Sequence, residues 1–285
     1  MKKLILVSAL FIGGCVTQKA ATPTEDVKYL GYVSINPISL PNSIFSSKIS
    51  TEAGVSNDEA KKKLASGGYA AELDFLVNSA ARISIREVSG KGEVKYLTAT
   101  VSSENKTYNA TIDYIKYYNA SVPIDVSYVN TLGDSKQAQI ILGLAVGVGL
   151  RAEANFYSAS RGAAISDIVN IGISAQNSDI SGTMSFQTMG VESKAISDSV
   201  PIPAQLSAPA IQGALQAMSS MKANIYATET RVSPQIVGFE VQSYPDGVEI
   251  NDILNAIQMH KKRIIDSVSN ELRQRVVYTL RPVEV

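Results

Sequence analysis

From Leu144 to Tyr157 the chain alternates without a break: Leu144, Val146, Val148, Leu150, Ala152, Ala154 and Phe156 hold one parity, and glycine, alanine or polar residues hold the other. A period of two sustained over this length belongs to a β-strand with one oily face, because apolar positions on a helix recur every three to four residues. The second parity is unusual. Gly143, Ala145, Gly147 and Gly149 leave that face nearly bare, and Arg151 and Glu153 then place charge on it. The alternation recurs at Val169, Ile171, Ile173 and Ala175, and again at Ile180, Gly182, Met184 and Phe186, so three amphipathic strands are expected at 144–157, 168–176 and 180–189. Only eight charged residues fall between Ala138 and Gly213, although the whole chain is 18% charged. The middle of the chain is therefore expected to supply a sheet core.

The flanking segments read as a mixture. Val27 to Ile35 is rich in β-formers, and the Pro- and Ser-rich stretch from Asn36 to Ser50 reads as loop. Ser56-Asn57-Asp58-Glu59 offers an N-cap with acids in the first turn of a helix that ends before Gly67-Gly68. Tyr69 to Ala81 is expected to continue as helix. Between Arg82 and Val129 the period returns to two, with a turn at Ser89–Gly92 and strands at 108–118 and 122–129, which predicts an antiparallel meander. Ser207-Ala208-Pro209 caps a helix running to about Asn224, with Ile211, Leu215, Met218 and Met221 on one stripe. A strand at Ile236–Val241, a turn at Tyr244–Gly247 and one long helix from Glu249 to Tyr278 complete the reading.

Composition removes several classes of function. Basic and acidic residues number 26 each, which excludes the clustered positive excess of a strongly basic nucleic-acid binder. One Cys and one His cannot build a disulfide framework, a Cys₄ zinc site or a two-histidine metal triad within one chain.

That single Cys has a telling place. Lys2 and Lys3 form a positive n-region, Leu4 to Ile12 an apolar stretch, and Ile12-Gly13-Gly14 leads into Cys15. This arrangement resembles the signal peptide and lipobox of Gram-negative bacterial lipoproteins, with Ile12 standing where Leu is commonest. The resemblance covers residues 1–15 alone and implies cleavage before Cys15, attachment of diacylglycerol and palmitate to it, and a permanent anchor. Three acyl chains hold far more firmly than one. Val16 in place of Asp at the second mature position implies sorting to the outer membrane. The expected organisation is thus a signal peptide at 1–14, a lipidated N-terminus and flexible tether at 15–26, and a folded body at 27–285 facing the periplasm. A division of that body into two subdomains near 130–140 is the alternative.

Four patterns bear a likeness to sites of chemistry. Gly147-Val148-Gly149 with Asp167 downstream mimics a dinucleotide-binding glycine pattern, but the alternation runs through the glycines instead of turning into a helix there, so they read as strand residues. Ser219-x-x-Lys222 resembles the nucleophile helix of penicillin-binding enzymes, yet neither Ser-Asp-Asn nor Lys-Thr-Gly accompanies it. His260 with Lys261, Lys262 and Arg263 reads as a solvated helix face. Asn105, Asn109 and Asn119 begin Asn-x-Ser/Thr triplets that read as strand and turn positions. No catalytic residue, cofactor or metal ligand is assigned, and Cys15 is the only site residue.

The fold class expected is α+β: an antiparallel sheet of amphipathic strands with covering helices and a long C-terminal amphipathic helix. The function expected is a non-enzymatic structural or assembly subunit of a cell-envelope complex, anchored in membrane lipid through Cys15. Its partners would be other envelope proteins or further copies of itself, with no nucleic acid. The alternatives are a subunit of an oligomeric outer-membrane secretion pore using strands at about 144–189, by analogy with the lipid-anchored curli secretion channel, and a periplasmic hydrolase.

Overall fold

A computed structural model describes residues 30–41, 54–66, 69–71, 73, 75–88, 94–97, 104–160, 162–163, 165–227, 229–241, 243–275 and 278–280. The signal peptide, Cys15 and the tether lie outside the described residues, as does the Ser89–Gly92 turn. The first half of the chain holds β1 (Leu30–Ser39), α1 (Asn57–Ser66), β2 (Tyr69–Ala71), β3 (Asn78–Val88), β4 (Val94–Leu97), β5 (Lys106–Val129) and β6 (Ser135–Ser158). The second half holds α2 (Ile168–Gln176), β7 (Ile180–Met189), β8 (Val191–Glu192), α3 (Lys194–Ser197), β9 (Ala204–Gln205) and α4 (Ala208–Asn224). It ends with β10 (Arg231–Val232), β11 (Gln235–Val241), α5 (Ile250–Met259), α6 (Lys261–Arg275) and β12 (Tyr278–Leu280). The fold is α+β, as the patterning predicts.

The organising unit is the hairpin of β5 and β6, two strands of 24 residues each that pair in register along their whole length. Its turn is written in Asn130, whose Oδ1 accepts from Leu132 N at 3.1 Å and Asp134 N at 2.8 Å, while Gly133 takes the left-handed backbone at φ +86°. Residues 130–134 are therefore the tip of one ribbon. Where the sequence reads two strands at 108–118 and 122–129, the structure has one. Pro123 does not interrupt it, for a reason of strand parity given below.

The two outer edges of this ribbon meet different partners. On β6, Leu142–Gly147 pair with β11 and Gly149–Ser158 pair with β7, while β3 covers Thr107–Tyr117 of β5. The resulting sheet runs β1-β11-β6-β5-β3-β4, with β7 and β9 attached beside β6. It curls until β1, from one side, approaches β3 from the other. β1 itself continues through Pro37 to Ser39, past the loop expected from Asn36, and Pro37 sits in a register shift between Ser34 and Ile38 where a missing N–H costs no ladder bond.

The even parity of β5 and β6 is the core face. Tyr108, Tyr118, Leu142, Leu150 and Phe156 are all buried there against α2, α4, α5 and α6. On α4 the inward stripe is Ile211, Ala214, Ala217, Met218 and Met221, so Leu215, expected inside, is instead 41% exposed.

Three further elements differ from the sequence reading. The segment 168–176, expected as a strand, is α2. Asp167 caps it by accepting from Asn170 N at 2.8 Å, and the helical stripe Ile168, Ile171, Gly172 faces inward while Val169 and Ile173 remain 49% exposed. The stretch carries both periods, and helix packing selects the second: a Cβ at Gly172 would sit 2.9 Å from Ile211 Cγ1 on α4. Tyr69–Ala81, expected as helix, is β2 and the opening of β3, because Asn78–Ala81 pair with Tyr114–Tyr117 and Tyr69–Ala71 pair with β12. The long C-terminal helix is two helices. His260 leaves the α-helical backbone at φ −96°, ψ 11°, and Ile264 N restarts the ladder on its carbonyl.

Candidate functional site

Inside the curl of the sheet the odd parity of β5 and β6 meets β1 and β11, and there lies the largest fully buried side chain among the described residues, Arg151. Register places Arg151 opposite Asp113 across the hairpin. The guanidinium grips the carboxylate with two bonds, Nε to Oδ1 at 2.6 Å and Nη2 to Oδ2 at 2.8 Å. Nη1 donates to the Ile35 carbonyl at 2.7 Å and Nη2 to that of Val237 at 2.9 Å, while the Tyr32 hydroxyl donates to Asp113 Oδ2 at 2.6 Å. One ion pair, 2% and 0% exposed, thus ties β1, β5, β6 and β11 together. Beside it Arg82 reaches from β3 to Glu240 on β11 at 2.6 Å and donates to the Tyr117 hydroxyl from Nε at 3.1 Å, which links strands that are not sheet neighbours.

Burial, and then the charge and hydrogen bond of Asp113, push the Tyr32 hydroxyl well above its ordinary pKa of 10.0. Tyr118 moves in the same direction, chiefly through burial. Both phenols therefore hold their protons in the folded chain and release them readily only when unfolded. The contribution is complete below pH 10 and disappears as the pH climbs beyond it. Urea titrations are expected to show stability flat from neutral pH to about 9 and falling steeply above about 10. In Tyr32→Phe the fall should be shallower; an unchanged alkaline slope would show that Tyr32 does not carry it.

Over this node opens a cleft of about 270 Å³ between β1, β3, β5, β6 and α5. Its lining is polar and includes Asn36, Ser84, Arg86, Glu153, Asn255 and Gln258. Part of the wall is organised internally: Thr111 Oγ1 donates to Asn109 Oδ1 at 3.3 Å, and Asn109 Nδ2 donates to Asn155 Oδ1 at 2.8 Å. Tyr96 and the side chains of Leu254 and Ile257 supply an apolar margin.

The patterns weighed from sequence are scattered. Gly147 and Gly149 lie in mid-strand opposite Tyr117 and Ile115, which agrees with their reading as strand residues. Ser219 Oγ on α4 donates to the Leu215 carbonyl at 2.9 Å, within its own helix, while Lys222 lines a separate cavity of about 160 Å³ beside Lys116 and Tyr226. His260 and Arg263 are not merely solvated: His260 Nε2 lies 3.2 Å from the Asp125 carbonyl, and Arg263 Nη2 donates to the Pro123 carbonyl at 2.6 Å. Asn105 and Asn109 stand at β5 as strand and turn residues, each in a side-chain hydrogen bond. Among the described residues no group of three His, Cys, Asp or Glu side chains is placed to hold a metal ion, and no helix is long and apolar enough to cross a membrane.

Sequence reading missed the Arg151–Asp113 node and the cleft above it. A signal existed, since Arg151 and Asp113 are opposite charges set in largely apolar strands, but joining them required the hairpin register. Comparison of the chain with protein-family models, with curated proteins and with solved structures finds no significant match.

Proposed function

We propose that this chain is a lipid-anchored, non-enzymatic subunit of a cell-envelope assembly, held in the outer membrane through Cys15 with its body in the periplasm, and that it joins its neighbours by adding a strand to the free edge of β6. The observation that carries this reading is the run Ser135–Ile141, which has no strand partner on its outer side among the described residues. β11 leaves β6 at Leu142, so the seven residues between that point and the hairpin tip have a partner on the β5 side alone.

Parity shows which groups that edge offers. On β5 the carbonyls of Pro123 and Asp125 point away from β6, since Arg263 and His260 bond them from outside. Residues of like parity pair across the ribbon, so odd positions of β6 also turn their N–H and C=O groups outward, as Ala159 N does in reaching Asp179 O at 2.8 Å. Ser135, Gln137, Gln139 and Ile141 therefore present backbone with no outward partner among the described residues, and Ile141 is 63% exposed. Such a row of donors and acceptors is a template for another strand. The matching edge of β5 is sealed by Pro123, His260 and Arg263, so only one side of the ribbon is offered. The oily parity, meanwhile, lies against helices. Facing it to lipid, as pore strands require, would forgo that burial.

Gln139→Pro tests the reading. The N–H it removes points outward, on the side where native Pro123 also lacks one, so the β5 ladder stays whole and the fold should lose only about 1 kcal/mol. Native electrophoresis of detergent-solubilised envelopes is expected to show the wild-type chain in a complex well above the mass of one lipidated chain and the variant shifted to monomer. Mass spectrometry of the same material should find Cys15 carrying diacylglycerol. A monomeric wild-type chain would overturn the assembly reading, and an unmodified Cys15 would overturn the anchor.

A further inference from the structure

The cleft above the Arg151–Asp113 node has the makings of a ligand site distinct from the β6 edge. Ser84, on β3, is 7% exposed, lines the cleft, and its hydroxyl has no hydrogen-bond partner among the described residues. Asn36, Asn255 and Gln258 converge on the same space, and their amides also make no side-chain hydrogen bond among the described residues. Three amides and a hydroxyl each donate and accept at once. That matches a ligand whose groups do the same.

Charge narrows the class. Arg151 is neutralised by Asp113, which leaves Arg86 and Glu153, one of each sign, so the lining has no net charge with which to hold a polyanion or a cation. The margin formed by Tyr96, Leu254 and Ile257 adds a flat apolar strip beside the polar groups. Its volume of about 270 Å³ lies just below the ~300 Å³ at which small-molecule pockets begin, enough for one compact ring and too little for a long chain. We infer that the cleft binds an uncharged, hydroxyl-rich saccharide ring, its hydroxyls meeting Ser84, Asn36, Asn255 and Gln258 and its C–H face resting on the apolar strip.

The full chain, purified in lauryldimethylamine oxide so that no glycoside detergent competes, is titrated with glucose, N-acetylglucosamine and the dipeptide alanyl-alanine by ligand-observed saturation-transfer NMR. At least one sugar binds in the millimolar range, more tightly than the dipeptide. Ser84→Val, which suits a strand, and Asn255→Leu, on an exposed helix position, are the two variants, and loss of about tenfold in sugar affinity in at least one of them with an unchanged circular-dichroism melt is the expected result. Gln139→Pro leaves sugar binding intact, so failure of the assembly reading and failure of this one are separable. Three outcomes overturn it: neither sugar binding at about 10 mM, binding indifferent to both variants, or tighter binding of the zwitterionic dipeptide, which would mean that Arg86 and Glu153 recognise charge.

Discussion

Asp113→Ala is expected to cost about 3–5 kcal/mol of folding stability, the range for removing one partner of a buried ion pair, and to lower the melting temperature by on the order of 10 °C. The variant leaves Arg151 charged at 2% exposure with its two carboxylate contacts gone, and leaves the Tyr32 hydroxyl without its acceptor. The loss is large because the remaining charge has nowhere to go, not because the pair itself is worth so much. It follows that Asp113→Leu combined with Arg151→Met should be less damaging than the sum of the two single changes. Strict additivity in that cycle, measured by urea denaturation, would refute the coupling. The double variant still loses the bonds from Arg151 to the Ile35 and Val237 carbonyls, so full recovery is not expected.

Gly147→Ala and Gly149→Ala are each expected to destabilise by about 2–3 kcal/mol, the upper part of the range for overpacking a filled interior. A Cβ at Gly147 would overlap the Lys116 carbonyl oxygen and lie 2.7 Å from Tyr117 Cα. At Gly149 it would overlap the Tyr114 carbonyl oxygen and lie 2.8 Å from Ile115 Cγ2. These obstacles are the backbone and packed side chains of the paired strand, which cannot swing aside. Gly143→Ala is the control: its nearest neighbour would be the Glu240 carbonyl oxygen at an ordinary 3.6 Å, so thermal denaturation should place it within about 0.5 kcal/mol of the wild type. Equal effects at all three positions would show that glycine entropy, not close approach inside the curl, sets the cost.

The small parity of β6 shows how far residues alone could lead. Alternation from Leu144 to Tyr157 announced a strand with one oily and one bare face, and both exist. Why the second face is bare could not be read from it. It is the inside of a curl, visible only when β1 comes round toward β3 and Tyr32, Tyr117 and Val237 pack with Ala145 in a second small core. The 168–176 segment fails for a related reason: its residues satisfy a period of two and a helical stripe equally, and the contact between Gly172 and Ile211, 39 positions apart, decides between them. At His260 the hydrophobic stripe skips one turn, His260 and Lys261 standing between Ile257 and Ile264, a gap that a single amphipathic helix also tolerates; the fit of His260 and Arg263 to the edge of β5 accompanies the break.

Local chemistry was legible because its causes are local. Strand period, the Ser207 cap, the turn residues at Tyr244–Gly247 and the lipobox-like run into Cys15 each depend on neighbours a few positions away, and they led to the α+β class and the expectation of a tethered body. The partner of Arg151, the free edge left where β11 departs from β6, and the cleft lined by Ser84 and Asn255 depend on residues tens to hundreds of positions apart. Those were decided by register and curl, since one slipped residue in the β5–β6 pairing would turn Asp113 away from Arg151 and exchange every buried side chain with an exposed one.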